Sequence, residues 1–180
     1  MKALIVVDVQ NDFCPGGALA VTDGDKVVDP INELSKQFEA DGLPIIFTRD
    51  WHPANHLSFK ENGGIWPPHC IAGTPGAAFH PNLYFPSVAF LVSKATEPDI
   101  EAYSGFQGTG LASWLRQIDV DELVIAGLAT DYCVKNTVID AIKLGFKVTL
   151  ALNAIKAVNV NPTDGETAIN EMKSLGVQIV

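Results

Sequence analysis

Cysteine is scarce in this chain. There are three among 180 residues, Cys14, Cys70 and Cys133, with no Cys-x-x-Cys spacing. An odd, scattered set excludes a disulfide framework and points to a reducing compartment, so a cytoplasmic location is expected. Positive charge is short as well, with 12 Lys and Arg against 21 Asp and Glu and a net charge of −9. No basic run exists, so nucleic acid and anionic membrane surfaces are not expected partners. No apolar stretch approaches the roughly 20 residues of a membrane span. The N-terminal apolar run, Ala3 to Val7, is too short for a signal peptide, and Asp8 ends it. Repeats, low-complexity tracts and linkers are absent.

What is present fits one globular domain over residues 1–180, with 47% hydrophobic and 18% charged residues. Short apolar runs recur at Ala3–Val7, Leu43–Thr48, Val88–Val92, Glu122–Ala126, Phe146–Leu150 and Val177–Val180. They read as buried strands, and most are separated by helix-period segments. These include Val27, Ile31, Leu34 and Phe38, with Asp23 or Asp25 near the start and Gly42 at the end. Pro30 is tolerable only near the first turn. Thr109 precedes a short helix through Leu111, Leu115 and Ile118. Thr163-x-x-Glu166 has the form of a capping box for a helix through Ile169 and Met172. The expectation is an α/β fold, a single six-stranded parallel sheet with helices on both faces.

In such sheets ligands bind at the C-terminal ends of the strands. Four ends carry reactive groups here: Asp8, Asp50, Lys94 and the turn before Val134, which holds Cys133. Val134, Val138, Ala141 and Ile142 follow at helical spacing, with Thr130 or Asp131 placed to cap. Cys133 then falls in a first helical turn, where unpaired N–H groups and the dipole favour a thiolate. A nucleophilic Cys133, a proton-accepting Asp8 and a cationic Lys94 form a workable set. The N–H groups of Ala129 and Cys133 could receive an oxyanion.

From Arg49 to Ser87 no periodicity survives, and all four histidines fall there. So long a stretch without regular structure is usually functional, and a metal ion is one way to fix it. Asp50-x-His52-x₃-His56-x₁₂-His69 supplies the residue types for a Zn, Fe or Mn site, and His80 stands apart from it. Phe13, Trp66 and Tyr103 are candidates for an aromatic pocket.

These residues resemble the nicotinamidase (pyrazinamidase) branch of the isochorismatase-like cysteine hydrolases. The resemblance runs nearly full length. It is carried by Val7-Asp8-Val9-Gln10-Asn11-Asp12-Phe13, Thr48-Arg49-Asp50-Trp51-His52-Pro53, Trp66-Pro67-Pro68-His69-Cys70, Ser93-Lys94, Tyr103-Ser104-Gly105-Phe106 and Ala129-Thr130-Asp131-Tyr132-Cys133-Val134. It implies a Cys133–Asp8–Lys94 triad and a cis peptide at Leu128–Ala129. It also implies one divalent metal, zinc foremost with iron or manganese as alternatives, on Asp50, His52 and His69. His56 is a less secure fourth ligand, for which Ser58 or Glu61 could substitute. The implied substrate is a small pyridine carboxamide, hydrolysed through a thioester, with the ring held by Phe13, Trp66, Tyr103 and Ala129. A homo-oligomer is possible. Isochorismatases lack the cysteine and N-carbamoylsarcosine amidase-like enzymes lack the metal motif, so both fit less well. A non-catalytic metal-binding scaffold is the alternative of a different class.

Overall fold

Strand β1 (Lys2–Val7) shows how the layers arise. Its residues alternate between two cores: Leu4 and Val6 join one, and Ala3, Ile5 and Val7 the other. A strand apolar on both faces must be covered on both. The computed structural model describes residues 1–180, and it meets that demand with helices on each side. Helix α1 (Val28–Ala40) places Val28, Ile31 and Phe38 in the first core. Helices α2 (Leu111–Gln117), α3 (Lys135–Lys143) and α4 (Asp164–Ser174) cover the other face, contributing Leu115, Val138 and Met172. Pro30 lies in the first turn of α1, where its missing N–H leaves no bond unmade.

The remaining strands are β2 (Ile45–Asp50), β3 (Phe90–Lys94), β4 (Glu122–Leu128), β5 (Lys147–Lys156) and β6 (Gln178–Ile179). All pair in parallel, in the order β3-β2-β1-β4-β5-β6. The expected six-stranded parallel sheet is therefore present as a single domain. The order reverses between β1 and β4, so a crevice opens at the C-terminal ends of those two strands. Gly127 permits their close approach there: its φ is +117°, and a Cβ would lie 2.1 Å from the Val7 carbonyl oxygen. No helix is long and apolar enough to cross a membrane.

Several local expectations give way to other contacts. The turn after β4 is a π-helical turn over Thr130–Val134 that leads into α3, and no side chain caps it. Asp131 instead accepts the Val158 and Asn159 N–H groups, each at 2.9 Å. Nor does Thr163 cap α4. The Gly165 N–H goes to Asn159 Oδ1 at 2.8 Å, and Asp164 accepts the Asn161 N–H. Strand β5 runs six residues past its predicted end, because a register shift opposite Ile125 and Gly127 breaks the apolar alternation.

The segment from Trp51 to Ala89 holds only two short 3₁₀ turns, Lys60–Asn62 and Pro75–Ala77. It is tied to the end of β1 by hydrogen bonds. Gln10 Nε2 donates to the carbonyls of Asp50 (2.8 Å) and Ala77 (2.9 Å), while Gln10 Oε1 accepts the Asp50 N–H at 2.8 Å. Asp12 Oδ2 accepts the Cys70 N–H at 2.8 Å, and the His80 N–H donates to the Val9 carbonyl. Polar clamps thus order the loop, alongside whatever an ion adds.

Candidate active site

The C-terminal ends of β1, β2, β3 and β4 bring Asp8, Asp50, Lys94 and Cys133 into one buried cluster. All four are buried, Asp8 and Lys94 almost completely. Lys94 Nζ lies at its centre. It donates to Asp50 Oδ1, to the Ala102 carbonyl at 3.2 Å and to Cys133 Sγ at 3.4 Å, and it stands 2.9 Å from Asp8 Oδ2. Asp8 Oδ1 accepts the Thr48 hydroxyl at 2.6 Å. Asp8 Oδ2, despite its ionic neighbour, has no aligned hydrogen-bond donor. The Lys94 ammonium compensates its charge. Asp8 also has a φ of +46°, a left-handed conformation that Asp adopts more readily than most residues.

Charge in this dry cluster follows from the competition between burial and pairing. Burial favours a neutral Lys94, but Asp50, Asp8 and Cys133 outweigh it and hold the ammonium pKa well above the usual lysine value. Burial also raises Asp50, yet Lys94 prevails and holds its carboxyl well below the usual range. Asp8 is raised, chiefly by burial and opposed by Lys94. Cys133 corrects the expectation of a dipole-stabilised thiolate. Burial above all, with Asp8 and Asp50, pushes its thiol well above the normal value against the pull of Lys94. These surroundings favour the neutral thiol, and one Asp8 oxygen lies in the same group of atoms, all within 4.8 Å.

A second donor set adjoins the first and shares Asp50. One ligand atom each from Asp50, His52 and His69 lies within 4.8 Å of the others. His52 Nδ1 meets the Ala95 carbonyl at 3.2 Å, and His69 Nδ1 meets the Pro67 carbonyl at 2.8 Å. A carbonyl only accepts, so both Nδ1 atoms carry the proton and both Nε2 atoms present a lone pair. These face Asp50 Oδ2, at 3.5 Å and 4.0 Å. Buried His52 Nε2 has no partner at all, which is costly without an ion. Two imidazole nitrogens oriented by backbone carbonyls, with one carboxylate oxygen, fit a divalent transition metal.

His56 stands outside this set. Its Nε2 meets the Ile100 carbonyl at 3.0 Å, and its Nδ1 accepts from the Ser58 hydroxyl at 2.7 Å, so neither nitrogen is free. The ring packs on His52 with centroids 4.2 Å apart. Glu61 is exposed. Burial lowers the pKa of both His56 and His69 and favours their neutral forms.

One cavity joins the two sets. Phe13, Trp66, Tyr103 and Ala129 line it together with Cys133, Asp50, His52 and His69. Trp66 Nε1 donates to the Tyr103 hydroxyl at 3.0 Å, and Tyr132 stands against both rings. The Leu128–Ala129 peptide bond is cis, as the resemblance implied. Sequence reasoning missed the wall residues Leu19, Tyr132 and Val158, and also the clamps Gln10 and Thr48. Nothing in the spacing marks Leu19 or Val158, whereas Gln10 and Thr48 carried a signal, as polar residues set beside apolar strands.

Comparison with known proteins agrees with this geometry. The isochorismatase domain model matches residues 2–180. The nicotinamidase of Escherichia coli (strain K12) is 41% identical, over 99% of this chain and 93% of its own length. The crystal structure of Pyrococcus horikoshii pyrazinamidase in complex with zinc superposes with a TM-score of 0.96 at 53% identity, covering 99% of this chain and 98% of that one. A structure from L. infantum in complex with nicotinate gives a TM-score of 0.92 at 36% identity, covering 100% and 92%.

Proposed function

The chain belongs to the isochorismatase domain family, and from that premise we infer that it is an amidohydrolase. It converts nicotinamide to nicotinate and ammonia, and pyrazinamide to pyrazinoate in the same way. The observation that carries this reading is the contiguity of the two donor sets. The Cys133–Lys94–Asp8 cluster and the Asp50–His52–His69 triangle share one carboxylate and open on one aromatic-walled cavity. Similarity to a nicotinamidase, to a zinc-bound pyrazinamidase and to a nicotinate complex supports the substrate class.

In the reaction we propose, Asp8 Oδ2 takes the proton from the Cys133 thiol and the sulfur attacks the carboxamide carbon. The N–H groups of Ala129 and Cys133 hold the oxyanion. Asp8 passes its proton to the departing nitrogen, ammonia leaves, and a thioester remains on Cys133. Asp8 then draws a proton from water as it attacks the thioester, and returns that proton to the sulfur as the C–S bond breaks, which restores the thiol and releases the acid, ionised in solution to the carboxylate. Lys94 keeps Asp8 and Asp50 compensated throughout. Asp50, His52 and His69 would hold one divalent ion, zinc by preference and iron or manganese by donor type. When bound, the ion supplies an open position suited to a pyridine ring nitrogen. Phe13, Trp66 and Tyr103 would flank the ring.

The test is ammonia and nicotinate release from nicotinamide, with and without a chelator. Equimolar release that falls on chelation is the expected result. Metal-loaded protein that turns over neither nicotinamide nor pyrazinamide refutes the reading.

A further inference from the structure

Thr48 lies in the middle of β2, is fully buried, and does not line the cavity. A threonine hydroxyl in a dry core must find a partner. It meets Asp8 Oδ1 at 2.6 Å, and an ionised carboxylate can only accept, so Thr48 is the donor. The side chain has little freedom to do otherwise. It is β-branched and therefore stiff at χ1, and its methyl faces Gly105, where a Cβ would lie only 3.0 Å away. The Thr48 carbonyl in turn accepts the Asp8 N–H at 3.2 Å. Main chain and side chain of one residue thus hold the base from two sides.

We propose that Thr48 is a positioning residue that decides which oxygen of Asp8 carries the transferred proton. The inference rests on the amidohydrolase reading above. In the first step the Cys133 S–H bond breaks, the electron pair stays on sulfur, and a new O–H bond forms on Asp8. With Oδ1 already bonded by the Thr48 hydrogen, the acid proton settles on Oδ2, beside Lys94. Oδ1 becomes the carbonyl oxygen of the acid and goes on accepting from Thr48. A proton on Oδ1 would confront the Thr48 hydrogen. The next step returns the Oδ2 proton to that nitrogen as its bond to carbon breaks. Without Thr48 the carboxyl can turn, and its proton can rest on the unproductive oxygen.

The experiment compares Thr48→Val and Thr48→Ser with the wild type by steady-state kinetics on nicotinamide, with thermal melts to confirm folding. Thr48→Val should lower kcat by about 10- to 100-fold, the range for losing one hydrogen bond to a charged group. KM should stay within about threefold, because Thr48 does not touch the cavity. Thr48→Ser keeps the donor and should recover most of kcat. If Thr48→Val does not fold, Thr48→Ala is read by the same criteria. A kcat within threefold of wild type in Thr48→Val overturns the proposal. So does a Ser variant as slow as the Val variant, since packing and not the hydroxyl would then matter. Wild-type protein that releases no ammonia instead defeats the amidohydrolase reading, which separates the two failures.

Discussion

Removal of Lys94 should cost stability as well as activity, and its size can be worked from the cluster. Lys94→Met keeps most of the apolar stem and deletes the one charge that stands between Asp8 and Asp50. Their facing oxygens lie within 4.8 Å. At an effective dielectric of about 20, two like charges at that distance repel by about 3.5 kcal/mol. Mutational breaking of a buried ion pair costs about 3–5 kcal/mol, which agrees. The expected deficit in metal-free protein at pH 7.5 is therefore about 3–5 kcal/mol, read from urea denaturation. Its pH dependence has a definite sign. Asp8 is already raised by burial, and without Lys94 it rises further, so the folded variant takes up a proton that the unfolded chain does not. A carboxyl raised in the folded state adds stability as pH falls, so the deficit should shrink between pH 7.5 and 5.5. Asp8→Asn combined with Lys94→Met should also recover part of it, because one carboxylate charge is gone. A deficit below about 1 kcal/mol at pH 7.5, or one that grows on acidification, would refute the charge balance assigned to Lys94.

Cys133→Ala should fold and bind metal but lose several orders of magnitude in kcat, because the covalent route is gone. Retention of more than a few per cent of turnover in that variant would remove Cys133 as nucleophile. Benzamide, which lacks the ring nitrogen, should be a far poorer substrate than nicotinamide by kcat/KM at fixed metal loading, whereas pyrazinamide should be accepted. Equal turnover of benzamide, within about threefold, would mean that the ring nitrogen is not bound. Metal-free protein should lose thermal stability as pH falls below 6.5, because His56 and His69 are held below that value when folded and the unfolded chain protonates first. His56→Gln should flatten the slope, and an unchanged slope would exclude a contribution from His56.

The fold was legible because parallel strands buried on both faces leave continuous apolar runs. Ala3–Val7 and Glu122–Ala126 were found within a residue or two of their observed ends. The reactive residues were legible for a related reason: Asp8, Asp50 and Lys94 stand one or two residues after such runs, and Cys133 lies in the turn that follows another. What escaped depends on contacts between distant segments. The caps assigned to Asp131 and Thr163 are sound local chemistry, but Asp131 is drawn away by two backbone N–H groups beyond β5. The His56 spacing matched a ligand pattern, yet Ser58 and the Ile100 carbonyl occupy both of its nitrogens, and no local pattern reports a carbonyl 44 residues away. The need to deprotonate Cys133 was legible, but the upward push of burial on its thiol was not, because helix position is visible in the sequence whereas burial is not.

The polar clamps and the strained backbone of this site have a common cause. Asp8, Cys70 and Ala95 all have φ between +46° and +49°, and each is a site residue or directly follows one. Non-glycine residues in that region cost roughly 1–3 kcal/mol each and persist only where their surroundings over-determine them. At Asp8 the N–H donates to the Thr48 carbonyl and the carbonyl accepts the Gln10 N–H. At Cys70 the N–H is held by Asp12, and the carbonyl accepts the His52 N–H. At Ala95 the carbonyl orients the His52 ring. At Asp8 and Ala95 the chain leaves a strand abruptly, and at Cys70 it turns within the long loop, so that a carboxylate, an ammonium and an imidazole are brought to the rim. Ordinary extended geometry would send alternate side chains to opposite faces of the sheet. The left-handed residues make the turns, and Gln10, Asp12 and Thr48 supply the hydrogen bonds that keep them. These three therefore belong to the construction of the site, although none of them lines its cavity.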